Sequence, residues 1–240
     1  MILVTGATGI LGRVIVLELL KRGKTVRATK RKSSNLQEVR KSFQFYTETP
    51  NEYFDSIEWI EVDFEDIHSL QNALNGVEEV YHCAAKVSFH PKDEKKMYQT
   101  NIEGTKQLLF ACQNSSVKKF LFVSSIAVLD GLNENGELDE SSDFNPKIDH
   151  SAYAISKHFS EMEVWRASAE GLNTVIVNPG LIIGSGNWKE SSGTLFMEFE
   201  KNDYTFSGGT SYVDVRDVAQ ISIELMEKNI FGERFILISE

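Results

Sequence analysis

The stretch Val4-Thr5-Gly6-Ala7-Thr8-Gly9-Ile10-Leu11-Gly12 constrains the fold of this chain more than any other feature. It follows a short β-branched run and opens an apolar pattern with helical spacing, at Val14, Leu17 and Leu20. Glycine at position 6 permits a tight turn. At position 9 it lets an anionic group approach the backbone amides of a helix N-terminus, and at position 12 it lets helix and strand pack closely. A GxxGxxG triplet between a strand and a helix is the context of a dinucleotide-binding turn. Thr8, Ile10 and Leu11 fill the positions between the glycines and are assigned to the same site.

The remainder of the chain repeats the strand-helix alternation. Strands are expected at Met1–Thr5, Thr25–Thr29, Ile57–Val62, Glu79–Cys83, Lys119–Ser124, Asn173–Val177 and Arg234–Ile238. Helices are expected at Ile10–Arg22, Ile67–Leu74, Lys96–Asn114, Tyr153–Glu170 and Val215–Glu227. This order predicts an α/β, doubly wound parallel sheet of Rossmann type. Asp130–His150 and Ser185–Gly209, rich in Gly, Ser, Asn and acids, are expected to be long loops beyond strand ends, where such folds shape substrate sites.

Composition excludes several classes of partner. A net charge of −10 repels a nucleic-acid backbone, and Lys30-Arg31-Lys32 is too short a basic patch to compensate. No apolar run approaches the roughly 20 residues that span a bilayer. The first residues run directly into a strand without a charged leader, so a cytoplasmic location is the default expectation. Cys83 and Cys112 read as structural thiols, and neither they nor the five histidines have metal-ligand spacing, so no metal is expected.

Two features point to chemistry. An NAD-specific site usually carries an acid about 20 residues beyond the glycines, to hold the ribose 2′-hydroxyl. There is none between Glu18 and Glu38, whereas Lys30, Arg31 and Lys32 follow the second strand. A cationic cluster there favours a 2′-phosphate, so NADP(H) is the preferred cofactor, with Arg31 its reader and NAD(H) the alternative. Asp63, with Phe64 beside it, is placed to meet the adenine. Tyr153 and Lys157, four residues apart, share one helix face, where a cation stabilises phenolate. Ser125 lies at a strand end, placed to donate to a substrate carbonyl.

With these residues in view, the chain resembles the extended short-chain dehydrogenases/reductases, the group of nucleotide-sugar epimerases and dehydratases, 3β-hydroxysteroid dehydrogenases and dihydroflavonol reductases. The resemblance rests on Thr5 to Gly12, Val62-Asp63-Phe64, His82-Cys83-Ala84-Ala85, Asn101 to Thr105, Val123-Ser124-Ser125, Tyr153 to Lys157, Asn178-Pro179-Gly180 and Tyr212 to Ala219. It implies a catalytic group of Ser125, Tyr153 and Lys157, with Asn101 supporting the active-site helix. Ala84, Ala85, Lys86 and Val123 line the cofactor cleft, and Pro179 and Leu181 pack near the nicotinamide. The dihydroflavonol-reductase branch is nearest in the stretch Thr25 to Arg31, where the matching arginine grips the NADP phosphate.

The implied function is hydride transfer between NADP(H) and a carbonyl or alcohol, on a small-molecule substrate. Alternatives are an NAD-dependent sugar-nucleotide epimerase or dehydratase and, in another class, a non-catalytic dinucleotide sensor. A homodimer through Lys96–Asn114 and Tyr153–Glu170 is implied by resemblance alone. Two departures stand out. Asn178 occupies a place where many relatives have arginine, and relatives continue beyond the last strand. The dinucleotide domain is therefore expected over residues 1–178 with 210–240, and residues 179–209 are expected to be the remaining part of a small, incomplete substrate lobe. Val87, Ser88, Phe89, His90, Tyr204 and Phe206 are the candidate substrate-facing residues, and His90 reads as a loop histidine or a proton donor.

Overall fold

The computed structural model describes residues 1–88, 90–186, 197, 200–201 and 209–239. Among these, the strands are β1 (Ile2–Thr5), β2 (Val26–Lys30), β3 (Glu58–Glu61), β4 (Glu79–His82), β5 (Lys119–Val123), β6 (Asn173–Pro179), β7 (Leu181–Ile183), β8 (Tyr212–Asp214) and β9 (Glu233–Leu237). Seven form one sheet in the order β3-β2-β1-β4-β5-β6-β9, and every pairing is parallel. β7 and β8 form a separate parallel pair. The doubly wound reading holds, with the crossover switch between β1 and β4.

Helices cover both faces: α1 (Ile10–Lys21), α2 (Leu36–Ser42), α3 (Pro50–Asp55), α4 (Ile67–Ala73), α5 (Glu94–Tyr98), α6 (Gly104–Gln113), α7 (Ala152–Ala169) and α8 (Val215–Glu227). The strand period of two divides the core. Ile2, Val4, Leu121, Val175 and Val177 pack with α1 and α8, whereas Leu3, Phe120, Phe122 and Ile176 pack with α4, α6 and α7. Gly23, at φ 72°, ends α1 by donating to the Leu20 carbonyl at 2.9 Å.

Several features differ from the sequence reading, the unexpected pair of β7 and β8 among them. β6 runs two residues further than expected and carries Asn178 and Pro179 into the sheet, opposite Ile236 and Leu237. α2 and α3 occupy a stretch for which no element was expected, held by Asn35 and Pro50 at their starts and by Val39 and Phe54 in the core. The expected helix Lys96–Asn114 is interrupted by a π-helical turn, Gln99–Glu103. In it, the Asn101 carbonyl accepts from Ser160 Oγ of α7 at 2.7 Å. Phe89, Tyr204, Phe206 and most of the 185–209 loop lie outside the described residues.

Candidate active site

The sheet topology gathers the candidate residues at one edge. Asp63 and Phe64 follow β3, Arg31 follows β2, the glycine turn follows β1, and Ala84 to Lys86 follow β4. Val123 ends β5 with Ser125 just beyond, Pro179 ends β6, and Leu181 begins β7. In open α/β sheets this C-terminal edge, at the switch point, is where ligands bind.

Between β1 and α1, no side chain larger than hydrogen fits at two of the three glycines. Gly6 has φ 64°, and a β-carbon on it would lie 2.6 Å from the Ala84 amide nitrogen. On Gly12 it would lie 2.3 Å from the Gly6 carbonyl oxygen. Gly9 caps α1 with no side-chain hydrogen bond, and no acid stands in the first turn. The partial positive charge of the helix terminus is therefore left for an external anion, which fits a dinucleotide pyrophosphate.

Two buried groups brace this turn, and the sequence reading gave neither of them a role. Arg13, 2% exposed, donates to the Gly9 carbonyl at 3.1 Å and to the Thr8 carbonyl, and pairs with Glu38 of α2 at 3.0 Å. His82 is held between Thr5 Oγ1 at 2.6 Å and Thr105 Oγ1 at 2.9 Å. Burial depresses its pKa to about 3, so it is a neutral tie between β1, β4 and α6. Arg13 sits directly after the third glycine inside an otherwise apolar run, which was the available signal.

Helix α7 is unusual in what it buries. Ser151 caps it, accepting from the Ala154 amide at 3.2 Å. Its inward face carries Ser156, Lys157, Ser160 and Glu161, whereas Phe159 and Met162 are exposed. A helix that turns polar groups inward must satisfy them there. Lys157, 3% exposed, donates to the Val123 carbonyl at 2.5 Å and stands 4.2 Å over the Phe122 ring. Desolvation lowers its pKa to about 8, against a raising influence from Glu161.

The Tyr153 phenol hydrogen-bonds with the Ser125 hydroxyl, which lowers its pKa, but burial outweighs that bond and leaves the pKa above its ordinary value. The structure thus brings Ser125 and Tyr153 into contact and places Lys157 one turn further on. Ser125 also accepts from the Ala127 amide at 3.2 Å.

Asn101 is a hub between the β4 loop and α7. Its side chain accepts from the Lys86 amide at 2.7 Å and donates to the Lys86 carbonyl at 3.0 Å and to Ser156 Oγ at 2.9 Å. The Lys86 ammonium pairs with Asp93 at 3.0 Å, and Asp93 also accepts from Ser88. Arg31 is exposed at the sheet edge. Asp63 is also exposed, and one of its carboxylate oxygens accepts from the Glu65 amide at 2.9 Å. Phe64 turns inward to stack on His82, ring centres 5.9 Å apart. His90 is exposed and caps a short helical turn, its Nδ1 accepting from the Lys92 amide at 3.2 Å. Cys112 is buried and Cys83 half-buried, and burial pushes the Cys83 thiol up to about 12.

A glycine turn at the switch point, with Ser125 and Lys157 against the end of β5 at the same sheet edge, fits a nicotinamide-dinucleotide-binding protein. The chain belongs to the NAD dependent epimerase/dehydratase family, whose model matches residues 2–236. It is 31% identical over 241 residues to sterol demethylase protein B of Methylococcus capsulatus, covering 99% of this chain and 69% of that protein. It is 27% identical over 248 residues to dihydroflavonol 4-reductase of Arabidopsis thaliana, covering 97% of this chain and 64% of that protein. The chain spans about two thirds of the length of these relatives. Among solved structures, yeast methylglyoxal/isovaleraldehyde reductase Gre2 in complex with NADPH superposes with a TM-score of 0.81. That match has 21% identity and covers 99% of this chain and 77% of the other, a likeness of fold. The family is one of NAD(P)-dependent enzymes of the extended short-chain dehydrogenase/reductase type.

Proposed function

We propose that this protein is an NADP(H)-dependent oxidoreductase that transfers a hydride between nicotinamide and a carbonyl or alcohol. The observation that carries the reading is the convergence of Ser125 and Tyr153 beside the buried Lys157, at the sheet edge that holds the glycine turn. Bound nicotinamide supplies the hydride. Ser125 donates to the substrate carbonyl oxygen and Tyr153 gives it a proton, while Lys157 supplies positive charge from the next turn of α7. Asn101 acts at one remove, holding α7 through Ser156 and Ser160.

Gly6, Thr8, Gly9, Ile10, Leu11 and Gly12 receive the pyrophosphate, and Arg31 reads the 2′-phosphate. Asp63 meets the adenine with the main chain of Phe64 beside it, the Phe64 ring being turned onto His82; Ala84 to Lys86 and Val123 wall the cleft, and Pro179 and Leu181 meet the nicotinamide. Residues 179–209 are assigned to the remaining part of the substrate lobe, of which 187–196, 198–199 and 202–208 lie outside the described residues. Calorimetric titration with NADPH and NADH tests the cofactor half of the proposal: tighter NADPH binding supports it. Tighter NADH binding favours a sugar-nucleotide epimerase or dehydratase, a reading that the family match also accommodates.

Phe110, Phe159 and Met162, each at least half exposed on α6 and α7, support a homodimer through these helices. Sedimentation equilibrium at varied concentration tests it. No described helix is long and apolar enough to cross a membrane, and a cytoplasmic location remains part of the proposal.

A further inference from the structure

Helix α7 carries a second buried charge that the proposed chemistry does not use. Glu161, one turn beyond Lys157, is 3% exposed. Its carboxylate accepts from Ser124 Oγ at 2.6 Å, Asn178 Nδ2 at 3.2 Å and Arg234 Nη1 at 3.1 Å. The three donors come from three neighbouring strands: Ser124 directly follows β5, Asn178 lies in β6 and Arg234 in β9.

Each donor reaches further. Asn178 Nδ2 also donates to the main-chain carbonyl of Ser125 at 3.1 Å. Arg234 donates through Nε to the Glu140 carbonyl at 2.7 Å and through Nη2 to the Ser142 carbonyl. The Glu140 carboxylate accepts from the Ile236 amide at 3.0 Å, closing the same loop onto β9. One buried carboxylate is therefore bonded to the Ser124 side chain directly, linked to the Ser125 carbonyl through Asn178, and linked to the loop that precedes α7 through Arg234. In this chain the guanidinium beside that carboxylate comes from β9, while position 178 supplies an amide that bonds both the carboxylate and Ser125.

Stability alone is a weak reason for such a device. Burying an ion pair costs more desolvation than it returns unless every lone pair is satisfied, and apolar side chains of similar volume generally serve as well. Geometry is a better reason. Ser125 adopts an extended backbone, φ −162° and ψ 151°, and bonds Tyr153 from there. A shift of its peptide by about 1 Å would separate the two hydroxyls, a misplacement on the scale that costs about 10²-fold in rate.

We propose that Glu161 is a positioning residue for hydride transfer: through Ser124 and Asn178 it fixes the Ser125 peptide against Tyr153, and through Arg234 it anchors the 140–142 segment to the same point. The proposal rests on the reductase reading. Its test is single-turnover oxidation of NADPH with whichever of 4-nitrobenzaldehyde, methylglyoxal and acetophenone the wild type reduces fastest. Glu161→Gln is compared with the wild type, and Glu161→Gln/Ser125→Ala with Ser125→Ala.

The expected result is a slowing by about 10²-fold in the wild-type background, unchanged NADPH affinity, and no further slowing when Ser125 is already alanine. An undiminished rate in Glu161→Gln overturns the proposal, and so does equal slowing in both backgrounds, which is what a merely structural residue gives. Should Glu161→Gln not fold, Asn178→Ala carries the same comparison, since it leaves the Glu161–Arg234 pair intact. A wild type that reduces none of the three carbonyls removes the reductase reading itself, and the proposal with it.

Discussion

Lys157 Nζ donates to the main-chain carbonyl of Val123 at 2.5 Å, so the ammonium is held against the end of β5 rather than out in solvent. Burial brings its pKa down to about 8, whereas burial raises that of Tyr153. As pH rises, the lysine is the first of the two to lose its proton. The kcat/KM for carbonyl reduction is therefore expected to be level below pH 8 and to fall above it. A pH profile checks this: a plateau persisting to the ordinary lysine value of 10.5 would mean that the charge of Lys157 is not needed.

His82 gives a stability counterpart. Its unfolded imidazole takes a proton near 6.5 and its folded one near 3, so the unfolded state binds more protons in that window. The stability contribution is complete above pH 6.5 and is lost as pH falls towards 3, at about 1.4 kcal/mol per pH unit. Unfolding free energies from urea titrations across this range should include that slope in the wild type. In His82→Gln the slope should be reduced, and an unchanged slope would assign the acid sensitivity to other groups.

Gly12→Ala puts a methyl group 2.3 Å from the Gly6 carbonyl oxygen, with Ala7 Cα also within 3 Å. The contact is with backbone, so α1 must move off the turn. The expected cost is about 1–3 kcal/mol in urea unfolding, together with weaker NADPH binding. Wild-type values for both would show that the turn has slack the geometry does not suggest.

Much of this was legible in the sequence, for identifiable reasons. The glycine turn, the alternation of apolar runs and the Tyr153–Lys157 spacing are local patterns, and each appears where it was read. α2 and α3 were not read because they are short and anchored by a few contacts, Val39 and Phe54 among them, rather than by an apolar stripe. The π turn at Asn101 depends on a partner, Ser160, that lies 59 residues away. Glu161 and Arg234 look like ordinary surface charges in sequence, and only the sheet brings them together across 73 residues.

Arg31 is exposed at the end of β2, and Lys30 beside it leans 3.9 Å from Glu61. Arg31→Ala should therefore weaken NADPH binding by about 10- to 100-fold and NADH binding far less, the scale of one or two charge-assisted hydrogen bonds. Equal losses for the two cofactors, measured by calorimetry, would remove Arg31 as the reader of the 2′-phosphate.

The most direct test of the account is Tyr153→Phe, because it deletes the proton donor and leaves the ring. Single-turnover oxidation of NADPH by a carbonyl substrate should fall by about 10²–10⁴-fold, while the calorimetric affinity for NADPH stays that of the wild type. A variant that transfers hydride at the wild-type rate would contradict the assignment of Tyr153 as the acid and, with it, the mechanism proposed for this site.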